Sequence, residues 1–139
     1  MVIMINNYQF NTKIDLIEEM ISPIISALEE INANHKKVYQ INLALEEILA
    51  NIANYAYPSK EGKIYISYEI NKELNNLRVV IKDDGEPFNP LEKEDPNLDL
   101  PVEKRKIGGL GIYIVKNMVD DIRYQRHNNQ NILEFVKNL

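Results

Sequence analysis

Cysteine is missing from all 139 positions. That removes a disulfide framework, a thiolate zinc site and a cysteine nucleophile. Positive charge is in deficit: 16 Lys and Arg against 21 Asp and Glu give a net charge of −5 and a pI of about 5.1. No basic stripe is available to neutralise a phosphate backbone, which argues against a nucleic-acid surface. A small phosphate ligand needs only local donors and stays open. No apolar run approaches membrane-spanning length. Met1 to Phe10 lacks the basic start and small-residue cleavage site of a signal peptide. The expectation is a soluble cytoplasmic protein. Glycine is also scarce, five residues in all, and three of the five fall within Gly108-Gly109-Leu110-Gly111.

What is present is globular in character. Hydrophobic residues make up 45% and charged residues 27%, enough for a real core. With no internal repeat and no linker, residues 1–139 read as one domain. Met1 to Phe10 predicts an opening strand at a sheet edge. Asn11 or Thr12 is placed to cap a helix with the stripe Ile14, Ile17, Ile21, Ile24, Leu28 and Ile31; Pro23 inside it predicts a kink or a break. Asn32-Ala33-Asn34 ends that helix, and the next runs up to Pro58. Ile64, Ile66, Tyr68 and Ile70, then Leu77, Val79 and Ile81, alternate with more polar residues as two hairpin strands. Ile122 and Tyr124 begin another strand, His127 to Gln130 turn, and Ile132 to Val136 close the sheet. The pattern predicts an α+β protein, a two-layer α/β sandwich. Its sheet is mixed but mainly antiparallel, covered on one face by about three helices and partly open on the other.

Three stretches carry more polarity or glycine than this architecture needs. The stretch Leu43 to Tyr57 continues a helix whose apolar stripe is Val38, Ile41, Leu45, Ile48 and Ile52, while Glu47 and Asn51, four apart, stack at its border. Glu46 is rotated toward water. Such a carboxylate and carboxamide suit a hydrated divalent cation and an oriented nucleophile; alone, they equally describe a solvated pair on a surface helix. Asp83-Asp84-Gly85 lies where a buried strand ends. Asp83 is suited to accept from an exocyclic amine, and Gly85 to let the backbone pass close to a flat ligand; alone, this is an ordinary Asp-Gly turn. Gly108-Gly109-Leu110-Gly111 opens a helix with a stripe of Ile112, Val115 and Val119, where free backbone N–H groups and the helix dipole favour an anion. It fits neither a Walker A loop nor a dinucleotide fingerprint. Between them, Glu86 to Ile107 holds Pro87, Pro90, Pro96 and Pro101 and many charges, a length associated with functional flaps.

The order E-x-x-x-N on a helix, strand to D-x-G, long flap, then G-x-G opening a helix resembles the GHKL (Bergerat-fold) ATPase superfamily of gyrase, mismatch-repair and chaperone ATPases and histidine kinases. EEILANIANYAYP, DDGEPFNP and GGLGIYIVKNMVDDIRY look most like the small bacterial anti-sigma-factor serine/threonine kinases. The resemblance covers nearly the whole chain. It implies ATP and Mg2+, with Asn51 coordinating magnesium and Glu47 acting as base. Asp83 would bind adenine and Gly85 line the base pocket. The Gly108-Gly109-Leu110-Gly111 turn would meet the nucleotide, with Gly109 and Gly111 holding the phosphates. Residues 86–107 would be the lid. Arg105 and Lys106 are the candidates for the γ-phosphate, with a solvated charge run as the equal alternative. The implied partners are a STAS-type antagonist protein and a sigma factor, and the implied assembly is a homodimer. Pro87 stands where larger superfamily members carry a second glycine. A histidine kinase is excluded, because His35 and His127 lie at a helix start and in a turn. The rival reading is a module that sequesters a protein partner in response to nucleotide without transferring phosphate.

Overall fold

Alternation at period two builds the sheet. The computed structural model describes residues 2–57, 61–92, 97–101 and 110–139. Within them lie strands β1 (Val2–Asn11), β2 (Lys63–Asn71), β3 (Asn76–Asp83), β4 (Asp121–His127) and β5 (Gln130–Asn138), and helices α1 (Ile17–Glu30), α2 (His35–Asn51) and α3 (Leu110–Met118). Ile64, Ile66 and Ile70 of β2, Leu77, Val79 and Ile81 of β3, and Leu133 and Phe135 of β5 are buried against the helices. Tyr65, Ser67, Val80 and Glu134 alternate onto the other face and are half-exposed. The two-layer sandwich is therefore as expected, with β1 at one edge.

One sheet detail differs from expectation. Every described pairing is antiparallel, so no parallel component is present among the described residues. The strand order is β1-β2-β3-β5-β4: the last strand inserts beside β3 and leaves β4 at the edge. A two-residue hairpin, Asn128-Asn129, with φ of 50° and 59°, makes β4 and β5 antiparallel neighbours. That left-handed pair matches the twist of a tight antiparallel hairpin, and asparagine tolerates it better than most residues. The resulting register puts Asp83 directly opposite Asn131.

The helical layer also departs in detail. α1 is preceded by a 3-10 turn at Ile14–Leu16 whose leading residue, Lys13, provides no side-chain cap. Thr12 is not the cap; its hydroxyl accepts from Gly62 N at 2.8 Å, tying the first strand's end to the start of β2. Ile14 drops off the stripe and is 61% exposed. Pro23 does not divide α1, because one missing N–H costs less than unpacking Met20, Ile24 and Leu28, all fully buried. The helix stops as expected: Asn32 takes φ of 56°, Ala33 N donates to Leu28 O, and Asn32 N to Glu29 O, a glycine-free Schellman closure. Asn34 then caps α2, its Oδ1 accepting from Lys36 N (2.9 Å) and Lys37 N (3.3 Å). α2 lies between α1 and α3 and buries Ile41, Ala44, Leu45, Ile48 and Leu49. Its end widens into a π-helical turn, Ile52–Ala56. Tyr8 ties β1 to α1 by donating from its hydroxyl to Met20 O at 2.6 Å.

Candidate functional site

The widened end of α2 is where the first two motifs meet. At the π turn the helix presents the Ala56 carbonyl sideways, and Glu86 N donates to it at 2.8 Å. Gly85 packs so tightly there that a β-carbon on it would lie 2.3 Å from Ala56 O. Any side chain at 85 has to displace backbone, which is the physical need for glycine. Tyr57, buried beyond the turn, accepts from Asp84 N at 2.7 Å and donates to Lys63 O at 2.8 Å. Gly62 lies against its ring. Residues 83–86 are thus bolted to the end of α2 from one side.

From the other side they are held by the β4–β5 hairpin. Asp83 is 2% exposed. Its Oδ1 accepts from Gly85 N at 2.9 Å and from Asn131 Nδ2 at 2.8 Å. Neither bond uses Oδ2. Burial raises the Asp83 pKa above the ordinary 3.8, and the Asn131 and Gly85 hydrogen bonds offset part of that rise. Asn131 is 4% exposed. It also donates to Glu86 O (2.7 Å) and accepts from Phe88 N (3.1 Å) and the Tyr124 hydroxyl (2.5 Å). Arg126 donates to Gly85 O at 2.8 Å. Asp84 faces outward and accepts from Tyr65 and Gln130, both at 2.9 Å.

The third motif arrives through α3. Gly111 lies in its first turn, so close to α2 that a β-carbon would fall 2.3 Å from Glu47 Oε2. Ile112, the next residue, lines a crevice with Asn51, Asp83, Phe88, Pro90, Tyr124 and Asn131. Segments from residues 48–52, 81–90 and 112 therefore converge beneath α2; Glu47 touches this region through Gly111, and its side chain also lines the groove between α1 and α2. The crevice is narrow, with about 20 Å³ free, room for about one water. Phe88, whose ring lies 5.5 Å from that of Tyr55, and Pro90 form one wall. Glu46 is exposed, as expected from its rotation, and accepts from Asn42 at 3.0 Å.

Some expected residues fall elsewhere. Arg105, Lys106, Gly108 and Gly109 lie outside the described residues, as does the Leu110 side chain; the backbone of Leu110 begins α3. His35 and His127 are exposed. Asn131, Tyr124, Tyr57 and Gly62 were not singled out for the site by sequence. Among the described residues no three His, Cys, Asp or Glu side chains gather to cage a metal, and no helix is long and apolar enough to cross a membrane.

The sequence and the fold both have known counterparts. The profile of the histidine kinase-like ATPase domain matches residues 10–137. The chain belongs to the histidine kinase-like ATPase domain family. Within it, the chain is 30% identical over 96 residues to "Serine-protein kinase RsbW" of Oceanobacillus iheyensis, covering 65% of this chain and 59% of that protein. It is 28% identical over 100 residues to the Bacillus thuringiensis protein of the same name, covering 69% and 61%. The aligned part thus spans about three fifths of these curated relatives. A crystal structure of the RsbU and RsbW domains of a Mycobacterium tuberculosis protein superposes with a TM-score of 0.69 at 15% identity, covering 99% of this chain and 33% of that one. That likeness is one of fold.

Proposed function

We propose that this histidine kinase-like ATPase domain binds Mg-ATP in the crevice beneath α2 and transfers the γ-phosphoryl group to a serine or threonine of a small antagonist protein. Through that antagonist it would regulate a sigma factor. The observation that carries the reading is the convergence of Glu47, Asn51, Asp83, Gly85 and Gly111 from three distant segments. The names of the RsbW relatives support a serine kinase over other members of the family. Residues 1–139 would act as one domain, in the cytoplasm and as a homodimer.

In this reading Asp83 accepts the exocyclic amine of adenine through the oxygen that Gly85 and Asn131 leave free. The crevice must open for a purine, and the wall of Phe88 and Pro90 at the root of the lid is the part that gives way. Asn51 offers a single carboxamide oxygen. No protein cage surrounds it among the described residues. A magnesium ion there would take its other ligands from phosphate and water and would neutralise phosphate charge. Glu47 accepts the proton of the acceptor hydroxyl as that oxygen attacks the γ-phosphorus and the bond to the β–γ bridging oxygen breaks, releasing ADP. The helix dipole and free N–H groups at the start of α3 hold the phosphates. The Gly108 and Gly109 amides and Arg105 or Lys106 would complete that cradle.

The test uses labelled ATP, a STAS-type antagonist and the Glu47→Ala variant. Wild type should label the antagonist. Glu47→Ala should keep ATP affinity and lose transfer by roughly 10²–10⁴-fold. Unchanged transfer in the variant removes the base assignment. ATP-dependent complex formation without label favours a sequestering module. Absence of Mg-dependent ATP binding by calorimetry overturns the reading as a whole.

A further inference from the structure

Asn131 uses its side chain more fully than any other polar group around the crevice. One amide makes four hydrogen bonds of 2.5–3.1 Å to four different residues. Two tie it to Asp83 and Tyr124, which face the crevice; two tie it to the Glu86 and Phe88 backbone, from which the lid departs. A carboxamide has two donors and, in effect, two acceptor sites, so all are occupied. The donor and acceptor ends are not interchangeable: the carboxylate of Asp83 and the carbonyl of Glu86 require N–H, while Tyr124 and Phe88 present donors. The orientation of the amide follows from its partners.

We propose that Asn131 is the positioning residue that makes Asp83 selective for an amino base and ties that selectivity to the root of the lid. By occupying Oδ1 together with Gly85 N, it leaves Oδ2 as the oxygen a base can reach and fixes the plane of the carboxylate. A carboxylate free to rotate would offer either oxygen, or water, to a base. Because the same amide holds Phe88 N and Glu86 O, the wall that must yield to a purine is fastened to the group that reads the purine. The inference rests on the proposed nucleotide reading.

The experiment compares ATP with inosine triphosphate, which carries a carbonyl where adenine has its amine, in calorimetric titrations with magnesium. Wild type should prefer ATP. Asn131→Ala should weaken ATP by roughly 10–100-fold, the worth of a hydrogen bond to a charged group, while inosine triphosphate changes little, so the preference collapses. Asn131→Asp, of equal size, should be at least as damaging, since a second carboxylate oxygen then faces Asp83. A purely structural role would lower the melting temperature and weaken both nucleotides alike. If Asn131→Ala does not fold, Tyr124→Phe removes one bond to the amide and should shift the preference the same way by a few-fold. Wild-type preference that survives in the folded variants overturns this inference alone. No nucleotide binding, or no preference, by wild type overturns the underlying reading instead.

Discussion

Asp83 concentrates the conflict between stability and function in a single carboxyl. Burial penalises its charge, and its pKa rises despite two hydrogen bonds. A carboxyl with a raised native pKa binds protons more tightly in the folded than in the unfolded state. Between the ordinary value of 3.8 and the raised native value, stability therefore falls as pH rises. Asp83→Asn keeps an oxygen for Gly85 and Asn131 but carries no charge. Denaturant unfolding of both proteins at pH 4 and pH 7 should show the variant gaining on wild type at the higher pH. ATP affinity should meanwhile fall about 10–100-fold, because an amide N–H₂ would replace the acceptor at Oδ2. A stability difference that does not move with pH would contradict the burial argument.

Residue by residue, sequence reading succeeds where the signal is local. Glu46 pointing to water and Glu47 beside the core follow from 100° per residue along one helix. Asn131 was not legible as a site residue: its partners at Asp83 and Glu86 lie 48 and 45 positions away, and between two strand residues it resembles any polar residue near a turn. Tyr57 and Gly62 were missed for the same reason, since the glycine is explained only by the ring resting on it.

At the scale of elements, the contact between α2 and α3 is the one on which chemistry would turn. Gly111 leaves no room for a methyl group beside Glu47, but the obstacle is the end of a flexible side chain. At Gly85 the obstacle is the Ala56 backbone. The two glycines should answer differently to alanine. Gly111→Ala should melt within about 1 kcal/mol of wild type, since alanine favours a helix by up to about that amount. It should still push the Glu47 carboxylate aside and drop phosphotransfer toward the level of Glu47→Ala. Full transfer in Gly111→Ala would show that Glu47 does not act from the position seen here. Helices and strands were readable from period and punctuation. The continuity of α1 through Pro23 and the π turn at Ile52–Ala56 were not, because both are decided by what packs against them: the core against Met20 and Leu28, and the Gly85–Glu86 backbone against Ala56.

For the whole molecule, topology does what no single motif can. The insertion of β5 between β3 and β4 sets Asn131 opposite Asp83, and the return of the chain through α3 brings Gly111 to Glu47. The order of motifs along the sequence pointed to this convergence through family resemblance; their mutual distances come only from the fold. Amide chemical shifts on titrating the isotopically labelled protein with Mg-ATP test the convergence most directly. The large changes should gather in three separated stretches, around 47–51, 83–88 and 110–112, with Asn131 and Tyr124 moving alongside them. Shifts confined to the open face of the sheet, or none at saturating nucleotide, would contradict it.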